Sequence, residues 1–328
     1  MERFENGVYD LRSALEFLRG RPGQLAETEV EVDPEAELSG VYRRAGAGGT
    51  VMRPTRTNGP AMLFRNLRVF PGVSAAIGVL ASRERVAALL GCKSTPLDAG
   101  PYITLGMCYA THPDTGRSDV TIHRLCIQGR DELSIFLQPG SRHIGAMADR
   151  AEELGRPLPI SVSIGVDPAI EVCSCFEPPT TPLGYDELAI AGALRSEPVQ
   201  LCRCVSVDER AIARAEFVIE GELVPGVRVQ EDQNSGTGYA MPEFPGYNGV
   251  ASSECRLLKV KALTHRKDPI LQTCIGPSEE HVNMAGIPTE ASILGMLERA
   301  MPGRVLNVCA HRSGGGKYMA CLLYTSPS

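Results

Sequence analysis

The chain has 328 residues and a mass of 35.2 kDa, enough for about two domains of ordinary size. Apolar residues make up 43% of it and charged residues 22%, which argues against a disordered or collagen-like chain. The net charge of −6 argues against nucleic-acid binding. No stretch is long and apolar enough to cross a membrane, and the N-terminus lacks a signal-peptide pattern, so we expect a cytoplasmic protein.

The N-terminal part, which we assign to residues 1–95, predicts an α/β domain of mixed helices and strands. Asp10 can cap a first helix, and a second helix is expected from Glu35. A strand is predicted over Ala61–Phe70 and a further helix over Arg83–Leu90.

The central part, residues 96–270, consists of short β-type runs separated by Gly, Pro and Asp turns. Many short strands with few helices predict a split barrel or a strongly curved sheet rather than a doubly wound fold. The predicted strands are Tyr102–Ala110, Val120–Gln128, Leu133–Leu137, Ile160–Ile164, Val199–Val205, Phe217–Leu223 and Cys255–Thr264. The predicted helices are Ile144–Leu154 and Tyr185–Leu194.

A third pattern, assigned to residues 271–320, predicts the start of a C-terminal α/β domain. Thr289 is expected to cap a helix that ends at Ala300, and the strands Arg304–Ala310 and Tyr318–Leu323 follow. The last residues, 321–328, look like translated vector sequence and are interpreted as a non-native tail.

Two other patterns are weak. The run Gly314–Lys317 resembles a P-loop, but His311 stands where its first glycine should be and Tyr318 where Ser or Thr should follow the lysine. We therefore expect no nucleoside triphosphate site there. The eleven cysteines contain no C-x-x-C pair, so we expect buried, reduced thiols rather than a zinc ribbon.

Three residues from separate elements are candidate metal ligands. Asp119 stands at the start of a predicted strand, His143 follows a turn, and Glu187 lies in the first turn of a predicted helix. Two carboxylates and one imidazole suit Mn²⁺ or Mg²⁺. The alternatives are a core histidine with a satisfied ring and an ordinary acid at a helix N-terminus.

A second group of residues is a candidate for acid–base chemistry. Arg124 lies in a β-type run that predicts burial, so it needs a partner, either a structural carboxylate or the carboxylate of a substrate. Glu243 lies among prolines and aromatics, where partial desolvation suits a proton donor. Glu231 and Asp232 lie in a polar loop and are expected to be solvated.

Together these stretches resemble the UbiD family of decarboxylases that depend on prenylated FMN, in its gallate and protocatechuate (hydroxybenzoate) decarboxylase branch. The resemblance rests on the order and spacing of short strings over most of the chain. They lie at 100–104, 118–124, 142–146, 164–170, 176–182, 187–193, 264–268 and 275–282, and residues 31–43 resemble the same branch.

The resemblance implies prenylated FMN, a divalent ion (Mn²⁺ or Mg²⁺) and K⁺ as a further ion. It puts the divalent metal on Asp119, His143 and Glu187. The implied cofactor-binding residues are Thr121, Ile122, His123, Arg124, Arg142, His143, Ser174, Cys175 and Phe176. The implied catalytic set is Arg124, Glu231 and Glu243, with Asp232 as an alternative to Glu231.

The implied reaction is the reversible, non-oxidative decarboxylation of a hydroxylated aromatic acid, in which Glu243 returns a proton to the ring. The alternatives are another aromatic or polyprenyl-hydroxybenzoate substrate, or a non-catalytic flavin-binding or scaffolding relative. The expected partners are a small aromatic carboxylic acid, a flavin prenyltransferase that supplies the cofactor, and further copies of the chain.

Two departures from the family pattern are expected to matter. Relatives have many more residues between Leu90 and Pro101, so we predict an internal deletion near Gly91. The C-terminal domain is expected to be truncated after its first helix and strands. We therefore expect this chain to be a poor enzyme.

Overall fold

The computed structural model describes residues 7–46, 59–81, 99–138, 143–243, 246–276 and 278–325. The predicted helix Arg83–Leu90 and the predicted cofactor residue Arg142 lie outside these ranges. No helix within them is long and apolar enough to cross a membrane. The ten cysteines within these ranges all carry free thiols, as predicted, but five of them, including the exposed Cys202 and Cys321, are not buried as expected.

The N-terminal part packs two helices against a sheet. Helix α1 (Leu11–Arg19) begins at Asp10, whose side chain accepts a hydrogen bond from the Ser13 N–H and so forms the predicted cap. Helix α2 spans Glu37–Ala45. The strands are β1 (Leu25–Thr28), β2 (Ala61–Phe64) and β3 (Ser74–Ile77), so the predicted strand over Ala61–Phe70 is shorter than expected.

A closed barrel of six antiparallel strands forms the centre of the molecule, as predicted. Closure removes the sheet edges that would otherwise expose unpaired backbone groups. The strands are β4 (Tyr102–Thr111), β5 (Ser118–Gly129), β6 (Glu132–Ile135), β7 (Leu158–Ile164), β10 (Phe217–Val229) and β13 (Cys255–His265). Their spatial order is β10-β13-β6-β5-β4-β7.

One predicted strand, Val199–Val205, lies outside the barrel. Its residues form the short strand β8 (Leu201–Arg203), which pairs only with β9 (Arg210–Ile212). Cys202 and Arg203 are exposed, so this segment has no apolar face that a barrel could bury.

Three helices pack on the barrel. Helix α3 (His143–Glu153) and helix α5 (Glu187–Arg195) confirm the two predicted helices, whereas α4 (Pro168–Cys173) is too short for its periodicity to have been recognised. On α3, Ile144 and Met147 join the apolar cluster that includes Leu125 of β5. On α4 and α5, Ile170 and Leu188 join a second cluster that includes Val120 of β5.

Strand β5 therefore contributes to two environments. Successive side chains of a strand alternate between its faces, so Asp119 lies on the face that carries Leu125, whereas Arg124 lies on the face that carries Val120. The two groups of candidate residues begin from opposite sides of one strand.

The C-terminal helix is longer than predicted. Helix α6 (Glu279–Ala300) begins after Ser278, whose hydroxyl accepts a hydrogen bond from the His281 N–H, and it continues through Pro288. Thr289 therefore lies inside the helix, where its hydroxyl donates to the Ala285 carbonyl at 2.8 Å. The first turns bury Val282 and Met284, and this packing offsets the backbone hydrogen bond lost at the proline.

Strands β15 (Val305–Ala310) and β16 (Ala320–Tyr324) follow helix α6 and pair with each other in an antiparallel hairpin. This observation confirms the two strands predicted in this region. It also places the first residues of the predicted non-native tail, 321–324, within β16.

Several contacts join the N-terminal part to the rest of the chain. Strand β14 (Ile270–Gln272), which follows the barrel, pairs in parallel with β3 and completes the order β1-β2-β3-β14. Arg12 of α1 donates from Nε to Glu216 Oε1 at 2.7 Å. The backbone of Leu80 donates to Glu280 Oε1 at 2.7 Å and accepts from Asn283 Nδ2 at 3.1 Å, so the start of α6 holds it on both sides.

Candidate active site

A cavity of about 460 Å³ lies between the barrel, helix α6 and the hairpin of β11 (Tyr239–Pro242) and β12 (Asn248–Val250). This volume is usual for the site of a small molecule or cofactor. The cavity is lined by Thr104, Ile122, His123, Arg124, Phe136, Gln138, Cys175, Glu177, Met241, Pro242, Glu243, Cys274, His281, Met284, Ala285 and Lys317.

Arg124 joins two acids from different segments at this cavity. Its Nε and Nη2 donate to the two carboxylate oxygens of Glu231 at 2.8 and 3.2 Å. Its Nη1 donates to Glu243 Oε1 at 2.9 Å. Burial opposes the charge of this side chain, but Glu231 and Glu243 nevertheless raise the pKa of Arg124 above its usual value. The guanidinium therefore has its structural partners and also forms part of the cavity wall.

Glu231 is buried, contrary to the expectation of a solvated loop residue. Besides Arg124, its carboxylate accepts hydrogen bonds from the Tyr102 hydroxyl at 2.9 Å and the Ser252 N–H at 3.1 Å. Asp232 is also buried but binds within its own loop, to the Gln230 amide and the Gly238 N–H at 2.6 and 2.7 Å. These two hydrogen bonds lower the pKa of Asp232. Glu231, and not Asp232, contacts the arginine.

Glu243 occupies a more open position than Glu231. Its side chain is 25% exposed, against 2% for Glu231, and it lines the cavity. It directly follows β11, and its backbone N–H donates to the Tyr247 carbonyl at 2.8 Å, which ties it to the other side of the hairpin. Phe244 and Pro245, which the sequence places beside it, lie outside the described residues.

The three candidate metal ligands converge on one buried point. Asp119 of β5, His143 of α3 and Glu187 of α5 each offer a ligand atom, and these atoms lie within 4.8 Å of one another. Asp186 caps α5 by accepting a hydrogen bond from the Leu188 N–H, and so holds Glu187 in the first turn. The structure thus brings together residues that are far apart in sequence.

The polar atoms of this cluster lie against one another, with His143 Nδ1 at 3.3 Å from Asp119 Oδ1. Both carboxylate oxygens of Asp119, both ring nitrogens of His143 and Glu187 Oε2 are buried without a hydrogen bond. Burial, together with the neighbouring Asp119, raises the pKa of Glu187 to about 9. Buried polar groups are normally satisfied, so the donor set fits a divalent cation with oxygen and imidazole ligands.

The other predicted cofactor residues fall into two groups. Ile122, His123, Arg124 and Cys175 line the cavity, and Thr121 supports it through a hydroxyl 2.9 Å from His123 Nε2. Ser174 does not line the cavity, because its hydroxyl donates to the Glu171 carbonyl at 2.8 Å; its own carbonyl accepts from the Ile122 N–H. Phe176 is half-buried and also lies outside the lining.

Two cavity residues were missed at the level of sequence. Lys317 Nζ lies 2.9 Å from Glu177 Oε1, and both side chains line the cavity, so a cation is available to an anionic ligand. The lysine was considered only as part of a failed P-loop. His281 belongs to a string that carries the family resemblance, and burial lowers the pKa of its imidazole to about 4. It therefore lines the cavity as a neutral ring.

Comparison with solved structures shows which enzymes have a similar fold. The chain superposes on 3,4-dihydroxybenzoic acid decarboxylase (AroY) from Klebsiella pneumoniae with a TM-score of 0.90 and 48% identity, covering 98% of this chain and 76% of that one. The UbiD-class enzyme HmfF from Pelotomaculum thermopropionicum, solved in complex with FMN, gives a TM-score of 0.81 and 32% identity, covering 98% and 76%.

Comparison with curated sequences gives a similar result. Gallate decarboxylase from Lactiplantibacillus plantarum is 46% identical over 364 aligned positions, which cover 96% of this chain and 74% of that protein. The alignment has more positions than the 328 residues of the chain, so that relative carries internal residues that are absent here. The predicted internal deletion is thereby supported, and its location near Gly91 stays a prediction.

Two family profiles also match the chain. The 3-octaprenyl-4-hydroxybenzoate carboxy-lyase N-terminal domain matches residues 16–98, and the Rift-related domain of the same carboxy-lyases matches residues 81–279. The second match covers more than half of the chain and contains β4 to β14 with all seven candidates for acid–base chemistry or metal binding. The chain belongs to the UbiD family of carboxy-lyases.

Proposed function

We propose that the chain is a reversible, non-oxidative decarboxylase of hydroxylated aromatic acids such as gallate or protocatechuate, which uses prenylated FMN and a divalent metal ion. The observation that carries this proposal is Arg124, held by Glu231 and Glu243 at the wall of a cofactor-sized cavity. The names of the two relatives with 46% and 48% identity, gallate decarboxylase and 3,4-dihydroxybenzoic acid decarboxylase, support this substrate class.

The residues present fit both groups that the reaction needs. The unpartnered atoms of Asp119, His143 and Glu187 would hold Mn²⁺ or Mg²⁺. The cavity would hold the flavin, with Lys317 available to its phosphate. When bound, prenylated FMN supplies the electron sink for a negative charge on a ring carbon, which no amino-acid side chain offers.

Arg124 binds the carboxylate of the substrate in this proposal. A guanidinium has five N–H donors, and three of them already bind Glu231 and Glu243. Because Glu231 binds the guanidinium through both Nε and Nη2, the remaining N–H donors point in a fixed direction. A substrate carboxylate bound to them is held so that its bond to the ring has one orientation.

Glu243 supplies the proton that replaces CO₂ on the ring. In its protonated form it can donate to the ring carbon, and the carboxylate that remains is stabilised by Arg124 Nη1 at 2.9 Å. Its 25% exposure allows a proton from water to restore the acid after each turnover. Glu231 is buried and saturated with donors, so it serves as the fixed counter-charge of Arg124.

His281 is a candidate for recognition of a ring hydroxyl. Its neutral imidazole lines the same cavity, and such a ring can donate from one nitrogen or accept at the other. A hydroxyl para or meta to the carboxylate would find its partner here, which favours hydroxybenzoates over unsubstituted benzoate.

The proposal extends to the cellular setting of the enzyme. It includes a flavin prenyltransferase as the cofactor supplier, a cytoplasmic location, K⁺ as an additional ion and assembly into homo-oligomers. One solved HmfF structure is described as an evolved dimeric form, which supports assembly as a property of the family. The alternative of a non-catalytic flavin-binding relative is disfavoured, because a binding module needs no acid such as Glu243 at its cavity.

The test is Glu243→Gln in chain loaded with prenylated FMN, with gallate and protocatechuate as substrates. The amide keeps the shape of the acid but has no transferable proton, so turnover should fall about 1,000-fold or more, and exchange of ring hydrogen for deuterium should stop. Flavin content, read from absorbance, should not change. The matched control is Glu254→Gln, an exposed loop acid, which should keep wild-type turnover.

Two results would reject the proposal. Near-normal turnover in Glu243→Gln would remove this residue from the mechanism. Failure of the flavin-loaded wild-type chain to release CO₂ from any hydroxybenzoate, even after the segments that relatives carry near Gly91 and at the C-terminus are restored, would reject the function itself.

A further inference from the structure

Tyr102, the first residue of β4, is a buried tyrosine whose hydroxyl contacts the Arg124 cluster. Its Oη donates to Glu231 Oε1 at 2.9 Å, the same oxygen that accepts from Arg124 Nε at 2.8 Å. The tyrosine is 8% exposed and does not line the cavity, so it reaches the site only through Glu231.

The hydrogen bonds around Glu231 fix the plane of its carboxylate. Oε1 accepts from Tyr102 and from Arg124 Nε, whereas Oε2 accepts from Arg124 Nη2 at 3.2 Å and from the Ser252 N–H at 3.1 Å. Each oxygen therefore has two donors, and Tyr102 is the donor from a barrel strand other than that of the arginine.

The position of Tyr102 is itself well defined. It pairs with Cys126 of β5 in the barrel register, and its ring packs in a small apolar cluster with Ala99, Cys126 and Met241. Glu231, by contrast, follows the end of β10 in a segment without regular structure. The tyrosine thus connects this irregular segment to the rigid barrel wall.

Tyr102 acts as a donor at every working pH. Burial, reinforced by the neighbouring charge of Glu231, raises the pKa of Tyr102 far above its usual value. The backbone of the same segment has a separate support, since Gln128 Nε2 donates to the Glu231 carbonyl at 2.7 Å. Gln128 therefore holds the main chain, and Tyr102 holds the side chain.

We propose that Tyr102 is a positioning residue that fixes the Glu231 carboxylate and, through it, the direction of the Arg124 guanidinium. This inference rests on the proposed function for the step in which Arg124 binds the substrate carboxylate. Without the hydroxyl, Oε1 loses one of its two donors, the plane of the carboxylate is less well fixed, and the guanidinium gains freedom to rotate away from the cavity.

The experiment is Tyr102→Phe in the flavin-loaded chain, because phenylalanine fills the same apolar space and removes only the hydroxyl. We expect kcat to fall about tenfold, the cost of one hydrogen bond to a charged group. We also expect KM for protocatechuate to rise several-fold, because the guanidinium that binds the substrate carboxylate is no longer held in one direction. The control is Tyr42→Phe, a buried tyrosine of α2, which should leave kcat and KM unchanged.

A second readout does not depend on turnover. Hydrogen exchange of the Arg124 Nε–H, measured by NMR in the chain without flavin and identified by its loss in Arg124→Lys, should become several-fold faster in Tyr102→Phe but not in Tyr42→Phe. An unchanged exchange rate together with an unchanged kcat and KM would overturn the positioning role. If the wild-type chain fails to decarboxylate while the exchange rate rises as expected, the function fails and the positioning role stands.

Discussion

Two buried polar clusters lie on opposite faces of β5, one around Arg124 and one around Asp119. They differ in the hydrogen-bond partners of their polar atoms. Around Arg124, the carboxylate of Glu231 has two donors on each oxygen. Around Asp119, five polar atoms of three side chains have no hydrogen-bond partner among the described residues. The protein's own side chains organise the first cluster, whereas in the proposed function a cation would complete the second. That proposal places substrate orientation in the fold itself and couples metal binding to stability.

The largest expected effect comes from breaking the cluster around Arg124. Arg124→Ala leaves the buried Glu231 without its counter-charge, which should destabilise the fold by about 3 to 5 kcal/mol and abolish turnover. Urea unfolding measures the loss. The control Arg228→Ala removes a surface pair with Glu152, at 3.0 Å, and should cost less than about 1 kcal/mol. An equal loss of unfolding free energy in Arg124→Ala and Arg228→Ala would show that the Arg124 cluster is no more important to stability than a surface ion pair.

Removal of the metal should lower the stability of the chain through the cluster of Asp119, His143 and Glu187. Mn²⁺ at about 100 times its Kd adds about 2.7 kcal/mol to the free energy of unfolding, so the melting temperature should fall by several degrees when a chelator is added. Differential scanning calorimetry measures the shift. His143→Ala should show no response to Mn²⁺, and a wild-type chain that is equally indifferent to it would exclude a metal at this cluster.

Asp119→Asn should have opposite effects on stability in the metal-free chain and in the chain with bound Mn²⁺. In the metal-free chain it removes the charge that, together with burial, raises the pKa of Glu187, so the fold should be stabilised by about 1 kcal/mol at pH 7. In the presence of Mn²⁺ it offers a weaker ligand, so the metal-dependent increase in melting temperature should shrink. A variant that is less stable than wild type without metal would show that the contact between Asp119 and His143, at 3.3 Å, outweighs this gain.

The smallest effect concerns a buried acid outside both clusters. Burial and the neighbouring Glu280 raise the pKa of Glu171 well above its usual 4.5. The folded state therefore binds this proton where the unfolded state releases it, so stability should fall as the pH rises above about 4.5. Glu171→Gln should flatten this decline while keeping the contact with Gln272, 3.2 Å away. Urea unfolding between pH 4.5 and 8 measures both slopes, and identical slopes would remove Glu171 from the linkage.

The sequence predicted the barrel better than the residues around it. Alternating apolar side chains predicted six barrel strands, because burial of one strand face leaves a local signal. The start of α6 was misplaced, because Thr289 was expected to cap the helix, whereas the helix begins at Glu279 and continues through Pro288. Glu231 was expected to be solvated because it lies in a polar loop. Its partners Tyr102 and Arg124 lie 129 and 107 positions away, so the sequence of the loop does not indicate them.

The candidate ligands Asp119, His143 and Glu187 were recognisable by residue type, but their spacing alone left a core histidine and a helix acid as equal alternatives. Their convergence depends on how β5, α3 and α5 pack on one another, which is a tertiary property. Lys317 was overlooked for the same reason, because its partner Glu177 lies 140 positions earlier.

Strand β14 has a consequence for synthesis on the ribosome. The contact between Arg12 and Glu216 spans 204 positions, and β14 emerges later still. At about 5 to 20 residues per second, the edge of β3 waits roughly 10 to 40 seconds for its last neighbour. An unpaired strand edge can join another nascent chain during that interval, so aggregation during expression should increase when translation slows between β3 and β14.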